Sequence, residues 1–538
     1  MTKTVEIYDT TLRDGTQQEG ISLTPKDKLA ICRLLDDLGV AYIEGGWPGA
    51  NPKEDEFFAR ARDELDLANA KLVAFGSTRH KGIAAGDDEQ VNKLLEAKTD
   101  TVCLVGKTWD YHVEHALRTS LDEAVAMVAD TVAFFRSHGK EVFFDAEHFF
   151  DGYRSNPDFA VAVLQAAHDA GAARLVMCDT NGGFLDHEVE RIVGEATERV
   201  SEGTFGCHFH NDSGMAVGNS LTAVRNGVYQ VQGCLNGYGE RTGNADLCTV
   251  IPNLSLKMGY QTIPEDRLER LTRISHNVAD VINLTLDPHL PYVGASAFTH
   301  KAGLHTSALA RRPDAYEHLP PSAVGNRTRV VVSELAGKST VLAKARETGL
   351  ELTDRQAQAV VETIKEREHV GFQYDTADGS FELLAREASG WVQGFYNLES
   401  YRVFVERRDG EVVAEATVKV TVDGDRIVST REGDGPVSAL DRALRAALRD
   451  RYPQVDDIKL TDYRVRDLDS SDGSSARVRV VTEHADAETS WGSVGVHQNI
   501  IDASWTAVSE GLVMGLVRNA ERSEIQDPRS PRSARSSK

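Results

Sequence analysis

The residues best suited to chemistry in this 538-residue chain stand at the ends of short apolar runs. His208-Phe209-His210 closes one of them, and the two-residue period of a strand puts both imidazoles on one face and the phenyl ring on the other. Two imidazoles on a common face can ligate a metal, although an H-x-H pair by itself is more often the polar end of a strand. Other runs lead into Asp9, Arg13, Asp14 and Gln17, into Glu44, into Glu147 and His148, into Asp179, Thr180 and Asn181, and into Asn236, Glu240, Arg241 and Asn244. A nitrogen and oxygen donor set without thiolate suits Mn2+, Mg2+, Zn2+ or Co2+. A metal with open positions acts as a Lewis acid on a carbonyl oxygen.

Eight β-rich runs carry these residues: 5–9, 40–46, 71–77, 101–106, 141–147, 174–180, 204–210 and 229–236. A helical segment follows each. The first has Thr24 as N-cap, Pro25 at its first position, Ile31, Leu34, Leu35 and Leu38 on one stripe, and Gly39 as its stop. Another opens on the capping box Ser120-x-x-Glu123 and ends at Gly139. Eight strand-then-helix repeats in about 260 residues predict a TIM (β/α)8 barrel over 1–260, whose active site lies at the C-terminal ends of its strands. The histidine pair then faces Asp14 and Asn244 at the barrel mouth. Gly237-x-Gly239-x-x-x-Gly243 is one residue too long for a dinucleotide fingerprint and follows the last strand instead of the first, so it predicts no NAD site.

Residues 261–395 read as a helical connector, with Leu268, Leu271, Ile274 and Val278 on one helix face and further helices near 339–349 and 353–368. Its irregular stretch from Asp287 to Arg329 exceeds ordinary loop lengths, which marks it as a candidate for function. By residue type alone, His300 and His305 within it are surface histidines and Tyr316 is a half-buried loop aromatic. Beyond residue 396 the alternation becomes antiparallel, with turns at Asp409-Gly410 and Asp423-Gly424, and two successive βββα units predict an α+β domain over 396–520. Few of its residues suit chemistry, so binding, dimerisation or regulation is its expected work. The Ser/Arg/Pro-rich stretch 521–538 is expected to be a disordered tail.

Composition excludes other classes. With 83 acidic residues against 60 Lys and Arg, the formal charge is −23, which disfavours nucleic acid and anionic membrane as partners. No run of about 20 consecutive apolar residues is present, and the N-terminus has no basic leader with an apolar core, so a cytoplasmic protein is expected. The six cysteines form no CxxC pair and read as buried thiols.

DTTLRDGTQQ at 9–18, HFHND at 208–212, GERTGNA at 239–245 and HKAGLH at 300–305 together resemble the DRE-TIM metallolyase superfamily, and within it the acetyl-CoA-condensing synthases that make 2-isopropylmalate, homocitrate and citramalate. EGGWPGANPKE, DAEHFFDGY and FNLESYRV look most like the long-type (R)-citramalate synthases. The resemblance implies an acyltransferase that condenses acetyl-CoA with a 2-oxo acid, pyruvate favoured, on a route to isoleucine. It also implies a homodimer whose C-terminal α+β domain senses an amino acid, here isoleucine. It makes Asp14, His208, His210 and Asn244 the ligands of a divalent metal, gives Arg13 and Thr180 to the oxo acid, and gives Glu147, His305 and Tyr316 to proton transfer. The alternatives are 2-isopropylmalate synthase, using 2-oxoisovalerate toward leucine, and a lyase of the hydroxymethylglutaryl-CoA type, which shares the barrel but ordinarily lacks the C-terminal domain.

Overall fold

The computed structural model describes residues 3–301, 312, 315–333, 335–408, 411–468 and 477–526. They form two compact units, Met1–Phe298 with Leu319–Arg327, and Thr299–His318 with Thr328–Lys538.

The first unit is a closed barrel of eight parallel strands: β1 (Glu6–Asp9), β2 (Tyr42–Gly46), β3 (Lys71–Ser77), β4 (Thr101–Lys107), β5 (Glu141–Glu147), β6 (Arg174–Asp179), β7 (Phe205–Phe209) and β8 (Gln230–Gly233). Closure is made by β1 against β8, from Glu6 opposite Gln230 to Asp9 opposite Gly233. The eighth strand stops three residues before its apolar run does. Leu235–Gly237 turns into a 3-10 helix with Asn236 at φ 61°, which ends the extended backbone.

Local chemistry explains the helices that wrap the strands. On the helix Pro25–Leu38, the Thr24 hydroxyl accepts from the Asp27 N–H and the Asp27 carboxylate accepts from the Thr24 N–H, while Gly39 ends the helix at φ 89°. The box expected at Ser120 is only half formed. Ser120 Oγ accepts from the Glu123 N–H, but the Glu123 carboxylate instead accepts from Arg79 Nη1 at 2.8 Å and the Gly82 N–H at 3.0 Å. A guanidinium from another element outcompetes the local backbone N–H for that carboxylate.

Inside the barrel, period-two alternation along β5 points Phe143, Asp145 and Glu147 inward. Phe143 joins Tyr8, Tyr42, Val73, Phe75 and Cys103 in an apolar cluster. The buried Asp145 meets Glu44, Cys103 and Gln232 above it, and Glu147 reaches the mouth. All six cysteines are free and buried, as their scatter predicts.

The second unit holds the helices Lys338–Glu347, Asp354–His369 and Asp378–Ala388, then two βββα modules. The first module has strands Asn397–Arg408, Glu411–Val422 and Asp425–Gly433 and helix Pro436–Leu448; the second has Lys459–Asp467, Val478–Ala485 and Ser490–His497 and helix Ile500–Gln526. Alternate residues Ala414, Ala416, Val418, Val420 and Val422 pack into a core with Leu440, Leu444 and Leu448. Asp423 at φ 52° and Gly424 at φ 88° make the tight turn expected between the second and third strands. The last helix continues to Gln526, so its end falls inside the stretch that composition assigns to the tail. Ile500–Ser523 is long and apolar enough to cross a membrane by length and composition, but its Ala503, Ala507, Leu512 and Met514 are buried against protein.

His484 is fully buried beside the Trp491 ring, and neither of its ring nitrogens has a hydrogen-bond partner among the described residues. A Cβ on Gly511 would lie 2.1 Å from this imidazole, so only glycine fits there. Burial, helped by the Arg445 charge, pushes the His484 pKa down to about 4. A histidine held neutral contributes stability above its unfolded value near 6.5 that is lost as pH falls toward 4, up to about 3 kcal/mol. Melting temperature followed from pH 7.5 to 5 should fall more steeply in the wild type than in His484→Leu. Equal slopes would contradict this.

Candidate active site

The loop after β1 carries Arg13 and Asp14 and is anchored by Asp9, whose carboxylate accepts from the Thr11 N–H and hydroxyl at 2.9 Å each and from the Leu235 N–H at 3.3 Å. Full burial nevertheless raises the Asp9 pKa to about 7, outweighing those hydrogen bonds. Asp14 thereby faces the end of β7. Its Oδ2 lies 3.2 Å from His208 Nε2 and 3.6 Å from His210 Nε2, and all three side chains are buried. Burial alone would raise the Asp14 pKa, but the Arg13 charge and the two imidazoles hold it well below the carboxylate range.

Asn244 pairs with His210 through an isolated bridge and donates its amide to Tyr238 O at 3.1 Å, which fixes which end of the amide is oxygen. Asp14 Oδ1 and Asn244 Oδ1 are both buried without a hydrogen-bond donor among the described residues. A buried carboxylate, two imidazoles and two orphaned oxygens fit a divalent cation, whose charge would satisfy acceptors that no protein donor reaches.

Arg13 is clamped beside this cluster. Its Nε donates to Glu44, its Nη1 lies 3.4 Å from Asp14 Oδ2, and its guanidinium carbon sits 3.9 Å from the centre of the Phe75 ring. The other Glu44 oxygen accepts from the Tyr8 hydroxyl at 2.7 Å. Across the mouth, Glu147 ends β5 opposite Lys107 of β4, and the two form an ion pair. Thr180 Oγ1 accepts from the His148 N–H at 2.9 Å, leaving the hydroxyl hydrogen available to a ligand.

Arg13, Asp14, Glu147, Thr180, His208 and His210 line one cavity of about 640 Å3, with Phe75 and Val105 on its apolar side. Tyr316 lies in the other unit and is 45% exposed. His300 of that unit has its Nε2 3.7 Å from Glu317. His305 lies outside the described residues. Two contributors were missed by sequence reasoning. Lys107 follows an apolar run that looks complete at Gly106, and Gln232 is legible only as the second of two glutamines spaced by two in Gln230-Val231-Gln232.

The barrel is matched by the HMGL-like family model over residues 4–278, the Homocitrate synthase post-HMGL domain-like model covers 292–371, and the LeuA allosteric (dimerisation) domain covers 375–516. An (R)-citramalate synthase of Streptomyces coelicolor is 51% identical over 95% of this chain and 96% of its own length. The chain belongs to the (R)-citramalate synthase family. Further relatives of that name from Synechocystis (49% identical, 95% of this chain and 96% of the relative) and Aquifex aeolicus (46% identical, 97% and 99%) match it equally fully. The three domain models follow one another in the order that the sequence predicts for barrel, connector and α+β domain.

Proposed function

We propose that this member of the family condenses acetyl-CoA with pyruvate and hydrolyses the resulting thioester, giving (R)-citramalate and CoA. The observation that carries the reading is one cavity that joins the Asp14, His208 and His210 cluster to Arg13, Thr180 and Glu147, in a chain whose full-length relatives bear that name.

Asp14, His208, His210 and Asn244 would hold a divalent metal ion. When bound, the metal supplies Lewis-acid polarisation of the keto carbonyl. Arg13, fixed by Glu44 and Phe75, presents a cation to the oxygen on which negative charge develops, and needs no rearrangement to do so. The Thr180 hydroxyl donates to the oxo acid's carboxylate. Glu147 assists removal of a proton from the acetyl-CoA methyl group, with His305 as base and Tyr316 in the same proton chemistry; these last two roles rest on the family motif and not on geometry. The enolate carbon attacks the keto carbon of pyruvate, and water then cleaves the thioester to release the CoA thiol. The domain matched by the LeuA model joins two copies and binds an amino-acid effector, isoleucine, and the enzyme works in the cytoplasm.

Release of free thiol from acetyl-CoA tests the reading, with pyruvate, 2-oxoisovalerate and 2-oxoglutarate offered separately, with and without chelator. Pyruvate and 2-oxoisovalerate differ by two carbons, at about 0.8 kcal/mol for each buried CH2, so a pocket shaped for pyruvate separates them by about tenfold or more in kcat/KM. Chelator-sensitive release with pyruvate leading by that margin is expected. A lead for 2-oxoisovalerate would replace citramalate by 2-isopropylmalate, and no release with any oxo acid would refute the synthase reading.

A further inference from the structure

We infer that Asp145, acting through Gln232, is a positioning residue that sets the tautomer of His208 and thereby presents a bare imidazole nitrogen to the metal. The inference rests on the metal reading above.

The chain of contacts is short and buried. Asp145 Oδ1 accepts from Gln232 Nε2 at 2.9 Å, and Gln232 Oε1 lies 3.0 Å from His208 Nδ1. Exposure is 4% at Asp145, 0% at Gln232 and 4% at His208, so water does not compete for these groups. With its N–H given to Asp145, the Gln232 amide turns its oxygen toward the imidazole. That oxygen can only accept, so Nδ1 carries the proton of a neutral ring. The lone pair is left on Nε2, the nitrogen that faces Asp14.

The second imidazole has no such acceptor. Arg241 Nη2, a donor only, lies 3.1 Å from His210 Nδ1, so that ring must shed this contact to offer Nε2 to the same ion. Of the two rings, His208 alone is preset to offer Nε2 to a cation. The relay is costly to build. Asp145 sits close to the equally buried Glu44, burial disfavours both charges, and Arg13 is the cation they share. A hydrophobic pair of similar volume would fill the same space without that penalty. The order in which acceptor and donor are stacked, carboxylate to amide to imidazole, is what such a pair could not reproduce, and outer hydrogen bonds of this kind orient a ligating histidine.

The test is Mn2+ binding to the chelator-stripped full-length chain without substrates, read from the free-ion EPR signal, on the wild type and three variants. Asp145→Asn keeps the shape but supplies an N–H that lets the Gln232 amide reverse, moving the His208 proton to Nε2. Gln232→Leu removes the acceptor, and Gln232→Glu keeps one. We expect Mn2+ affinity to fall about 10–100-fold in Asp145→Asn and Gln232→Leu and to stay within about threefold of wild type in Gln232→Glu. Should Gln232→Leu fail to fold, the isosteric Asp145→Asn decides. Folded variants that all bind Mn2+ within twofold of wild type would overturn the inference while leaving the metal site intact. A wild type that binds no Mn2+ would overturn the metal reading itself, and the inference with it.

Discussion

Asp14→Asn is expected to lower kcat by about 10^3-fold or more and to strip the protein of its metal. The change is isosteric, so packing around the site should survive it. What it removes is the negative charge between two imidazole nitrogens, at 3.2 and 3.6 Å, in a cluster where Asp14 is 2% exposed. A neutral amide would leave the two histidines and Asn244 as an uncharged donor set. Lewis-acid polarisation is worth several kcal/mol, and each ~1.4 kcal/mol is tenfold in rate, which sets the size of the loss. Steady-state turnover with metal analysis of the purified variant checks it. A kcat within tenfold of wild type at unchanged metal content would contradict it.

Arg13→Met is expected to cost about 10^2–10^3-fold in kcat, and it should also destabilise the protein by about 3–5 kcal/mol. The second effect follows from Glu44, which is fully buried and would lose its guanidinium partner while Asp145 remains close. The two effects separate in the double variant Arg13→Met/Glu44→Gln. A neutral glutamine can still accept from Tyr8, so most of the stability should return while turnover stays low. Denaturant unfolding and initial rates on wild type, single and double variants decide the point. Recovery of turnover in the double variant would show that Arg13 serves only to neutralise Glu44.

The barrel was legible because its strands are short β-rich runs whose ends carry strong local signals, such as Thr24-Pro25 before a helix and Gly39 after it. Where the sequence misled, the competing partner came from elsewhere in the chain. Glu123 caps no helix N-terminus because Arg79, 44 residues earlier, takes its carboxylate. The candidate residues could be gathered as a set because a parallel barrel collects the C-terminal ends of all its strands at one mouth. Arg13, Asp14, Glu147, Thr180, His208 and His210 line one cavity there. Gln232 escaped because its meaning is a relation across the barrel, 24 residues from His208 and 87 from Asp145. No local period encodes which polar residue of β5 will face which polar residue of β8.

The most direct test of the account is the identity of the product. Metal-loaded protein is incubated with acetyl-CoA and pyruvate, and the organic acid is resolved by chiral chromatography beside a thiol assay. (R)-Citramalate in one-to-one ratio with released CoA is expected, and neither product after treatment with chelator. CoA released without citramalate, or citramalate formed at full rate in the presence of chelator, would contradict it.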